Sequence, residues 1–376
     1  MIIIFHLSNR SFLRQDGHYP GKWSMKYGFS SIPYYFSPRI LSTMTHVKAI
    51  SLFSGGLDSI LATQLIINQG IEVIAFNIKT PFGIPKKDGV SEAEAAIKQL
   101  NIPLKIVTVE KDYIRMLRKP KHGYGKNINP CVDCKIFILK QARKYAEEVG
   151  ADFLFTGEVL GERPMSQHGP ALRTIEEEAG LKGKLLRPLS AKLLPETVAE
   201  SKGLVDRNKL LAISGRSRKP QLQLAKEFGI TTYCSPAGGC LLTCEEYAKK
   251  LRDLFDHKKN VSGADATLLR FGRHFRLGEN KIIVGRNEAE NKFLMSRKTK
   301  SEYYFELPDI VGPITILQGV KTKKAIQTAA QLTAFYSDAK LDKVKVNYGR
   351  DSLNKSVMVE IPDRAEVDKL RIGSSI

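Results

Sequence analysis

The segment SGGLDS at residues 54–59 constrains the fold of this chain more than any other, because apolar runs of two different kinds flank it. Residues 47–53 before it predict a buried strand, and residues 60–69 after it predict a helix. The junction between a strand and a helix leaves backbone N–H groups unpaired beside the positive end of the helix dipole. Gly55 and Gly56 let a ligand approach the backbone closely. The segment therefore predicts a phosphate-binding loop.

The polar residues of this loop add to the prediction. Ser54 and Ser59 supply hydroxyl donors, and the carboxylate of Asp58 suits a Mg²⁺ ion. The loop lacks the Lys of the GxxxxGK[ST] motif, so it is not the usual kinase or GTPase loop. The simpler alternative is a strand–helix turn that only needs glycines. The combination of Ser, Gly and Asp behind an apolar strand favours phosphate binding.

Strand-like and helix-like segments alternate after this loop, which predicts right-handed βαβ units and an α/β fold with a parallel sheet covered by helices on both faces. Ligands of such sheets bind at the carboxyl ends of the strands. Residues 54–59 and 156–158 both follow predicted strands, so we expect both at one site. The other predicted strands and helices are residues 71–78, 91–100, 103–109, 135–149 and 152–156.

Changes in composition predict four parts of the chain. Residues 1–43 lack periodicity and predict a disordered leader, or a stretch upstream of a true start at Met44. An α/β domain at residues 44–190 and a helical extension at residues 191–260 follow. Residues 261–376 are basic and strand-rich, and they predict a smaller α+β domain with strands at 268–271, 281–284, 314–317, 343–347 and 357–361 and a helix at 323–335.

The balance of charge points to a polyanionic partner. The chain has 59 Lys and Arg against 39 Asp and Glu, a net charge of +20, and basic surfaces attract phosphate backbones. No apolar run approaches the ~20 residues that span a bilayer, and the apolar start at residues 1–5 is too short for a signal peptide. We therefore expect a cytoplasmic location and no membrane partner, whereas the oligomeric state is not predicted.

Cysteine chemistry supplies the second half of the expected site. The odd number, five, argues against a disulfide framework and for metal or sulfur chemistry. Cys131 and Cys134 form a CxxC before a predicted helix, whose dipole favours thiolates, and Cys240 follows a Gly-rich turn that would expose it. From the residues alone, the CxxC is a zinc half-site with Cys244 as a further ligand, a redox pair or a coincidence. Otherwise, Cys234 and Cys244 are expected to be buried structural thiols.

Taken together, the loop at residues 54–59 and the cysteines resemble a known group of enzymes. The loop is similar to that of the ATP pyrophosphatases called PP-loop or adenine nucleotide α-hydrolase-like enzymes, and the cysteines resemble those of the tRNA thiouridylases, the 4-thiouridine and 2-thiouridine synthases. The resemblance implies ATP and Mg²⁺ as cofactors. The ATP-binding residues that it implies are Ser54, Gly55, Gly56, Asp58, Ser59, Asn77 and Gly157. Lys135, Arg163 and Gln167 are weaker candidates for contacts with phosphate or the target base, because ordinary exposed positions explain them nearly as well.

The resemblance leaves two roles open for the cysteines. In persulfide-using members, residues at the positions of Cys134 and Cys240 carry the sulfur and resolve the product. In members that resemble the 2-thiocytidine synthases, a CxxC and one distant Cys hold a 4Fe–4S cluster, as Cys131, Cys134 and Cys240 would here. The three-cysteine pattern favours the cluster.

The implied activity is that of an ATP-dependent tRNA sulfurtransferase, an enzyme that adenylates a uridine carbonyl and replaces its oxygen with sulfur. Asp58, Cys131, Cys134 and Cys240 would be its catalytic residues, and its partners would be tRNA and a sulfur-donor protein or sulfide. The motifs RFGRH and VGRN, in residues 270–287, resemble the RNA-binding domain of the NFACT proteins. No THUMP-like or rhodanese-like segment is evident. The alternatives are a sulfurtransferase acting on a small molecule, an amide-forming PP-loop ligase and a non-catalytic RNA-binding protein.

Overall fold

A computed structural model describes residues 46–83, 91–233 and 240–373. The predicted leader at residues 1–43, the proposed start at Met44 and Cys234 lie outside the described residues. Within the described ranges, no helix combines the length and the apolar character that crossing a membrane requires.

A five-stranded parallel sheet forms the centre of the first part of the chain. Its order is β3-β2-β1-β4-β5, which confirms the predicted α/β fold. The chain order reverses between β1 and β4, and doubly wound sheets bind their ligands at such a switch point. The strands are β1 (Lys48–Leu52), β2 (Glu72–Lys79), β3 (Leu104–Thr108), β4 (Phe153–Thr156) and β5 (Leu185–Leu186).

Helices cover both faces of this sheet because successive strand residues point to opposite sides. Ala49 and Phe155 pack in one core with the first helix of the chain, whereas Ile50 and Leu154 pack in the opposite core with the fourth and fifth. The helices are α1 (Leu57–Ile67), α2 (Glu92–Ile97), α3 (Lys111–Arg118), α4 (Cys131–Glu148) and α5 (Gly169–Ala179). The predicted helix at residues 135–149 thus begins at Cys131, so the CxxC lies inside the first turn of α4 rather than before it.

Short helices and 3₁₀ turns follow the sheet. One of the short helices, at residues 219–227, joins the core of α1 through Ala225. Two others form a third core with α3, which contains Tyr113, Leu242 and Tyr247. The helices are α6 (Val198–Ser201), α7 (Lys219–Glu227), α8 (Glu245–His257) and α9 (Gly263–Leu268), and the 3₁₀ turns are Ala191–Leu193, Arg207–Lys209 and Leu241–Thr243.

A six-stranded antiparallel sheet, in the order β11-β10-β8-β9-β7-β6, forms the C-terminal part. Helix α11 packs across it and has the bounds that the sequence predicts. The elements are β6 (Arg273–Leu277), β7 (Asn280–Val284), α10 (Glu288–Arg297), β8 (Tyr303–Glu306), β9 (Thr315–Gln318), α11 (Lys323–Phe335), β10 (Lys343–Gly349), β11 (Lys355–Glu360) and α12 (Arg364–Leu370).

One predicted strand is wrong. Residues 268–271 form the end of α9 and a turn, not a strand. A capping box between Ser262 and Asp265 starts this helix, and Gly272, at φ +76°, turns the chain into β6. Leu269 packs in the helical core with α3 and α8, whereas Leu268 packs beside Ile283 and Ile316 of the C-terminal sheet. The domain boundaries at residues 190 and 260 stay predictions.

Candidate active site

A cavity of about 440 Å³ lies at the carboxyl ends of β1 and β4. Most of the predicted ATP-binding residues line it, and so do Lys135, Arg163 and Gln167, the three weaker candidates. Gly55 and the three cysteines of the predicted sulfur site are not part of its lining. The predicted residues that line the cavity are Ser54, Gly56, Asp58, Ser59, Asn77 and Gly157.

Two glycines allow backbone segments to touch beside this cavity. Gly55 has φ +82°, and a Cβ there would lie 2.5 Å from the carbonyl carbon of Glu92. A Cβ on Gly157 would lie 2.5 Å from the carbonyl carbon of Asp58 and from the amide nitrogen of Ser59. Side chains are therefore excluded at both positions, and the end of β4 lies directly on the first turn of α1.

Hydroxyl groups brace the loop. Ser59 Oγ donates to the carbonyl of Gly56 at 2.8 Å, and Ser54 Oγ accepts from the amide of Gly56 at 3.3 Å. Asn77 Nδ2 donates to the carbonyl of Phe53 at 2.7 Å and so fixes the end of β1. Asn77 also lines the cavity, but its amide already holds the backbone. Its role in ATP binding stays a prediction.

Asp58 lies in the cavity with one carboxylate oxygen unused. Its Oδ2 is 3.4 Å from Nη2 of Arg218, which also contacts Glu162 Oε1 at 3.1 Å. Its buried Oδ1 has no hydrogen-bond partner within the described residues. Burial raises the pKa of Asp58 to about 6; Glu162 adds to the rise, and Arg218 opposes it. An unpartnered carboxylate oxygen in a phosphate-sized cavity fits the predicted Mg²⁺ site.

A buried ion-pair network forms a second wall of the cavity. Glu158 accepts from Lys135 through Oε1 and from Arg187 Nε through Oε2, the latter at 3.0 Å. Arg187 also binds Glu176. Burial alone would raise the pKa of Glu158, but Lys135 and Arg187 outweigh it and hold that pKa at about 2. Lys135 is therefore a fixed cation of the cavity, not a solvated helix residue.

The three predicted cysteines of the sulfur site lie near one another, although Cys240 is far from the others in sequence. Burial raises the pKa of Cys134 to about 11, and Cys240 and Cys131 add to that rise, while a hydrogen bond with Tyr113 Oη at 3.1 Å opposes it. Cys240 is exposed, as its Gly-rich turn predicts, yet desolvation of its thiol raises its pKa and Cys131 adds to the rise. The expected preference for thiolates at the helix N-terminus is thus outweighed by burial and by the neighbouring sulfurs.

Three thiols from two segments are a set of donors that an iron–sulfur cluster accepts. They do not yet form a metal-binding arrangement. Among residues 46–83, 91–233 and 240–373, no group of three His, Cys, Asp or Glu side chains is placed to hold a metal ion. A cluster would draw the three sulfurs together.

Cys244 is not among the groups that shift the pKa of Cys134 or Cys240. The expectation that it is buried is wrong, because Cys244 is exposed. It immediately precedes α8, where the chain leaves a 3₁₀ turn.

Sequence reasoning missed Arg218, Glu162 and Arg187 as functional residues. Glu162 adjoins Arg163, one of the weaker candidates, but Arg218 is 160 residues from its partner Asp58. No local pattern marks such a pair. The one available signal was the run Arg-Ser-Arg-Lys at residues 216–219, which places three basic residues in a loop-rich stretch.

Two family models match the chain. Residues 44–194 match the family described as thiamine biosynthesis protein (ThiI), and residues 272–370 match the NFACT protein RNA binding domain. The resemblances predicted from the sequence are therefore confirmed for these two segments.

Curated relatives resemble the first segment. The chain is 31% identical over 156 residues to the "Probable tRNA sulfurtransferase" of Methanocaldococcus jannaschii, covering 38% of this chain and 36% of the relative. It is 30% identical over 113 residues to the "tRNA-specific 2-thiouridylase MnmA" of Syntrophotalea carbinolica, covering 28% and 32%. The chain thus spans about a third of the length of these relatives.

Among solved structures, the chain resembles "U34-tRNA thiolase NcsA from Methanococcus maripaludis with its [4Fe-4S] cluster". The match has 20% identity and a TM-score of 0.32, and it covers 60% of this chain and 71% of that one. A similarity of this size does not establish a shared overall arrangement.

Proposed function

We propose that this chain is an ATP-dependent tRNA sulfurtransferase that adenylates a uridine carbonyl and replaces its oxygen with sulfur. One observation carries the proposal: helix α4 contributes to both halves of the site. Its residues Lys135, Ile138 and Leu139 line the cavity at the phosphate loop, and its first turn contains Cys131 and Cys134. A nucleotide in the cavity and a sulfur on the thiols would therefore meet at one helix end.

The cavity supports ATP binding. The loop at residues 54–59 continues into the first turn of α1. Its backbone N–H groups and the dipole of this helix therefore favour the binding of phosphates. Lys135, Arg163 and Arg218 add positive charge to the lining. Asp58 would hold Mg²⁺ through its unpartnered oxygen, and the ion would neutralise charge on the phosphates.

The first step would activate the nucleoside. The carbonyl oxygen of the uridine attacks the α-phosphorus of ATP; a new O–P bond forms, and the bond between the α-phosphorus and its bridging oxygen breaks to release pyrophosphate. Negative charge grows on the phosphate oxygens in this step. Fixed cations stabilise that charge without reorganisation, and Lys135, held by Glu158, is such a cation.

The second step would insert sulfur. A sulfur nucleophile bound at the cysteines attacks the activated ring carbon, a C–S bond forms, and the C–O bond breaks to release AMP. Cys134 and Cys240 would carry and resolve a persulfide. In the alternative role, Cys131, Cys134 and Cys240 would hold a 4Fe–4S cluster, which supplies a binding position for the transferable sulfur. A donor protein would supply the outer sulfur of the persulfide, whose S–S bond would break as a disulfide between Cys134 and Cys240 forms, whereas sulfide would suffice only for the cluster.

The C-terminal part supports RNA as the substrate. Residues 272–370 match an RNA-binding family, and the net charge of +20 suits a phosphate backbone. A cytoplasmic location follows from a tRNA substrate and belongs to the same proposal.

Replacing single cysteines separates the two steps. Purified chain is incubated with ATP, Mg²⁺, sulfide and unmodified tRNA, and pyrophosphate release and thionucleosides are measured, the latter by mass spectrometry. Cys240→Ser is expected to retain tRNA-dependent pyrophosphate release and to lose thiolation at least a hundredfold. Cys244→Ser is the matched control, because this exposed thiol lies four residues away, and it is expected to keep both activities.

Three results would decide among the alternatives. Equal loss of thiolation in both variants would contradict the role of Cys240. Pyrophosphate release that ignores tRNA would favour a small-molecule substrate. Iron and acid-labile sulfide in anaerobically purified chain, lost in Cys131→Ser but not in Cys244→Ser, would select the cluster over the persulfide pair.

A further inference from the structure

An aromatic column runs along one face of the C-terminal sheet, from its core to its end. Phe305 is fully buried and stacks on Tyr348, with ring centroids 5.4 Å apart and an interplanar angle of 16°. Tyr348 in turn contacts Tyr303, at 5.8 Å between centroids. Tyr303 is half-buried, so the column ends in a rigid ring at the surface.

Three cations surround that last ring. Lys321 Nζ lies 5.8 Å from the centroid of Tyr303, the guanidinium carbon of Arg350 5.5 Å and Lys355 Nζ 5.8 Å. They come from three different places, namely the loop after β9, the end of β10 and the start of β11. Arg350 and Lys355 are exposed, and Lys321 is half-buried. We call Tyr303 and these three residues the Tyr303 patch.

The positive charge of the patch is largely uncompensated. Within the described residues, the ion pairs of the C-terminal part are formed by other side chains. Burial lowers the pKa of Lys321, and Arg350 adds repulsion, against attraction from Glu302. The first turn of α11, which begins two residues after Lys321, has no acidic residue and carries Lys323 and Lys324. Cations at a helix N-terminus are unfavourable in the absence of an anion.

The position of the patch leaves it accessible. Strands β6 and β7 contact α8 through ion pairs of Asp253 with Arg276 and Lys281. Apart from Lys321, which follows β9, the patch lies on the opposite half of the sheet, at β8, β10 and β11. Since β10 is four strands from β6, this distance is roughly 19 Å. The α8 side therefore attaches the sheet to the rest of the chain, and the patch side is free to bind.

We infer that the Tyr303 patch is the site where the C-terminal sheet holds the phosphate backbone of tRNA. The inference rests on the proposed function and places its RNA contact on particular side chains. Three unpaired cations around one ring, beside a positive helix end, suit consecutive phosphates, and Tyr303 fixes the cations by cation–π contact. The contact involves no base edge, so it holds tRNA irrespective of sequence.

The test measures binding of an unmodified tRNA transcript to the full chain without ATP, by fluorescence anisotropy over a series of salt concentrations. The triple variant Lys321→Gln, Arg350→Gln, Lys355→Gln is expected to bind roughly ten- to a hundredfold more weakly at low salt, and its slope of log K against log salt is expected to be about 2 to 3 smaller. The matched control replaces three exposed lysines elsewhere, which changes net charge equally: Lys140→Gln, Lys202→Gln, Lys226→Gln. We expect it to change the slope by less than about 1.

Each outcome decides one question. If the triple variant binds tRNA like the control variant, the inference is overturned. If the unaltered chain fails to bind tRNA at all, the proposed function fails as well. If the triple variant loses binding to vesicles that contain anionic lipid but keeps its tRNA binding, the inference is overturned in favour of a membrane contact. Circular dichroism checks folding, and the single exposed variant Lys355→Gln, with an expected slope change of about 1, tests the inference if the triple variant unfolds.

Discussion

The carboxyl group of Asp58 lines the cavity, and burial there destabilises its charged form. Its pKa is raised from 3.8 to about 6, chiefly by burial. A carboxyl group whose pKa is higher in the folded state than in the unfolded state binds its proton more tightly there, so the free energy of unfolding falls as pH rises from about 4 to about 6. A Mg²⁺ ion would need the ionised form, and its binding is therefore expected to weaken below pH 6.

Asp58→Asn is expected to stabilise the chain and to abolish ATP cleavage. A shift of about two pKa units corresponds to about 3 kcal/mol at pH 7.5, and the amide has no charge to desolvate. Urea unfolding measures the stability, and pyrophosphate release measures the activity. Asp112→Asn, at an exposed acid on α3, is the control and should shift stability by less than about 0.5 kcal/mol. If the Asp58→Asn chain is less stable than the unaltered chain, the claim that the buried Asp58 carboxylate destabilises the fold is wrong.

Substitutions at Gly55 and Gly70 distinguish the stability cost of close packing from the cost of a positive φ. Both have positive φ, at +82° and +79°. An alanine Cβ at position 55 would meet the backbone of Glu92 at 2.5 Å, whereas the described residues place no atom within 4 Å of one at position 70. Gly70→Ala is expected to cost about 1 kcal/mol, and Gly55→Ala at least about 3 kcal/mol by thermal unfolding. Equal costs would show that the loop moves away from α2 freely.

The conformation of the loop follows from its own sequence, because its serines and Gly56 hydrogen-bond within the SGGLDS segment. Ser54, Ser59 and Gly56 bond within five residues of one another. Arg218 was missed because its contact with Asp58 depends on how a loop 160 residues later folds back onto the cavity. Periodicity and propensity carry no information on such a contact.

At the scale of elements, Glu158 joins four segments through two cations. It follows β4, binds Lys135 of α4 and Arg187 after β5, and Arg187 continues to Glu176 of α5. The pKa of Glu158, about 2 against 4.5 for a free Glu, means that the carboxylate stabilises the fold. This contribution is fully present above pH 4.5 and is lost as pH falls toward 2.

Glu158→Gln leaves two buried cations with one fewer charge between them. Removing one partner from a buried ion pair costs about 3 to 5 kcal/mol, so we expect a loss of this size in the free energy of unfolding at pH 7. The difference from the unaltered chain should shrink below pH 4.5. Glu177→Gln, an exposed acid on α5 paired with Lys182, serves as the control and should change little. A loss independent of pH would point to packing instead of charge.

Element predictions succeeded where an apolar stripe was clear and failed where charge interrupts it. The bounds of α11 are those predicted, since its alanines face the sheet. Strand β6 was missed because its sequence, RHFRL, lacks an alternation of apolar and polar residues. Its arginines contact the surrounding chain, and His274 is buried. Helix α4 starts earlier than predicted because its first turn contains the CxxC, which has no apolar periodicity.

At the scale of the whole molecule, the cysteine site requires two distant segments to meet. Leu242, close to Cys240, packs in the third core with Tyr113 and Ile128, and this packing brings Cys240 to the first turn of α4. The resemblance to thiouridylases named the three cysteines, but composition and periodicity predicted no contact between them. Their proximity depends on the extension folding back onto α3.

An acid on α8 links the C-terminal sheet to that extension. Asp253 of α8 binds Arg276 through both carboxylate oxygens, at 2.8 and 2.6 Å, and lies 3.8 Å from Lys281. Burial lowers the pKa of Lys281 to about 8, and Asp253 opposes this effect. The sheet that would hold tRNA is thus tied to the segment that positions Cys240.

Asp253→Asn is expected to uncouple these two parts. Two cations, Arg276 and Lys281, would lose their acidic partner, at a cost of about 3 to 5 kcal/mol. Because this cost falls on the contact between the sheet and α8, thermal unfolding should separate into two transitions that circular dichroism and hydrogen exchange place at different temperatures. Thiolation per bound tRNA should fall, while tRNA affinity, measured by anisotropy, stays within about twofold. Asp256→Asn, an exposed acid on the same helix, controls for the loss of charge and should unfold in one transition. If Asp253→Asn also unfolds in one transition with full thiolation, the sheet and the sulfur site are held together by packing, and the ion pair contributes nothing to their coupling.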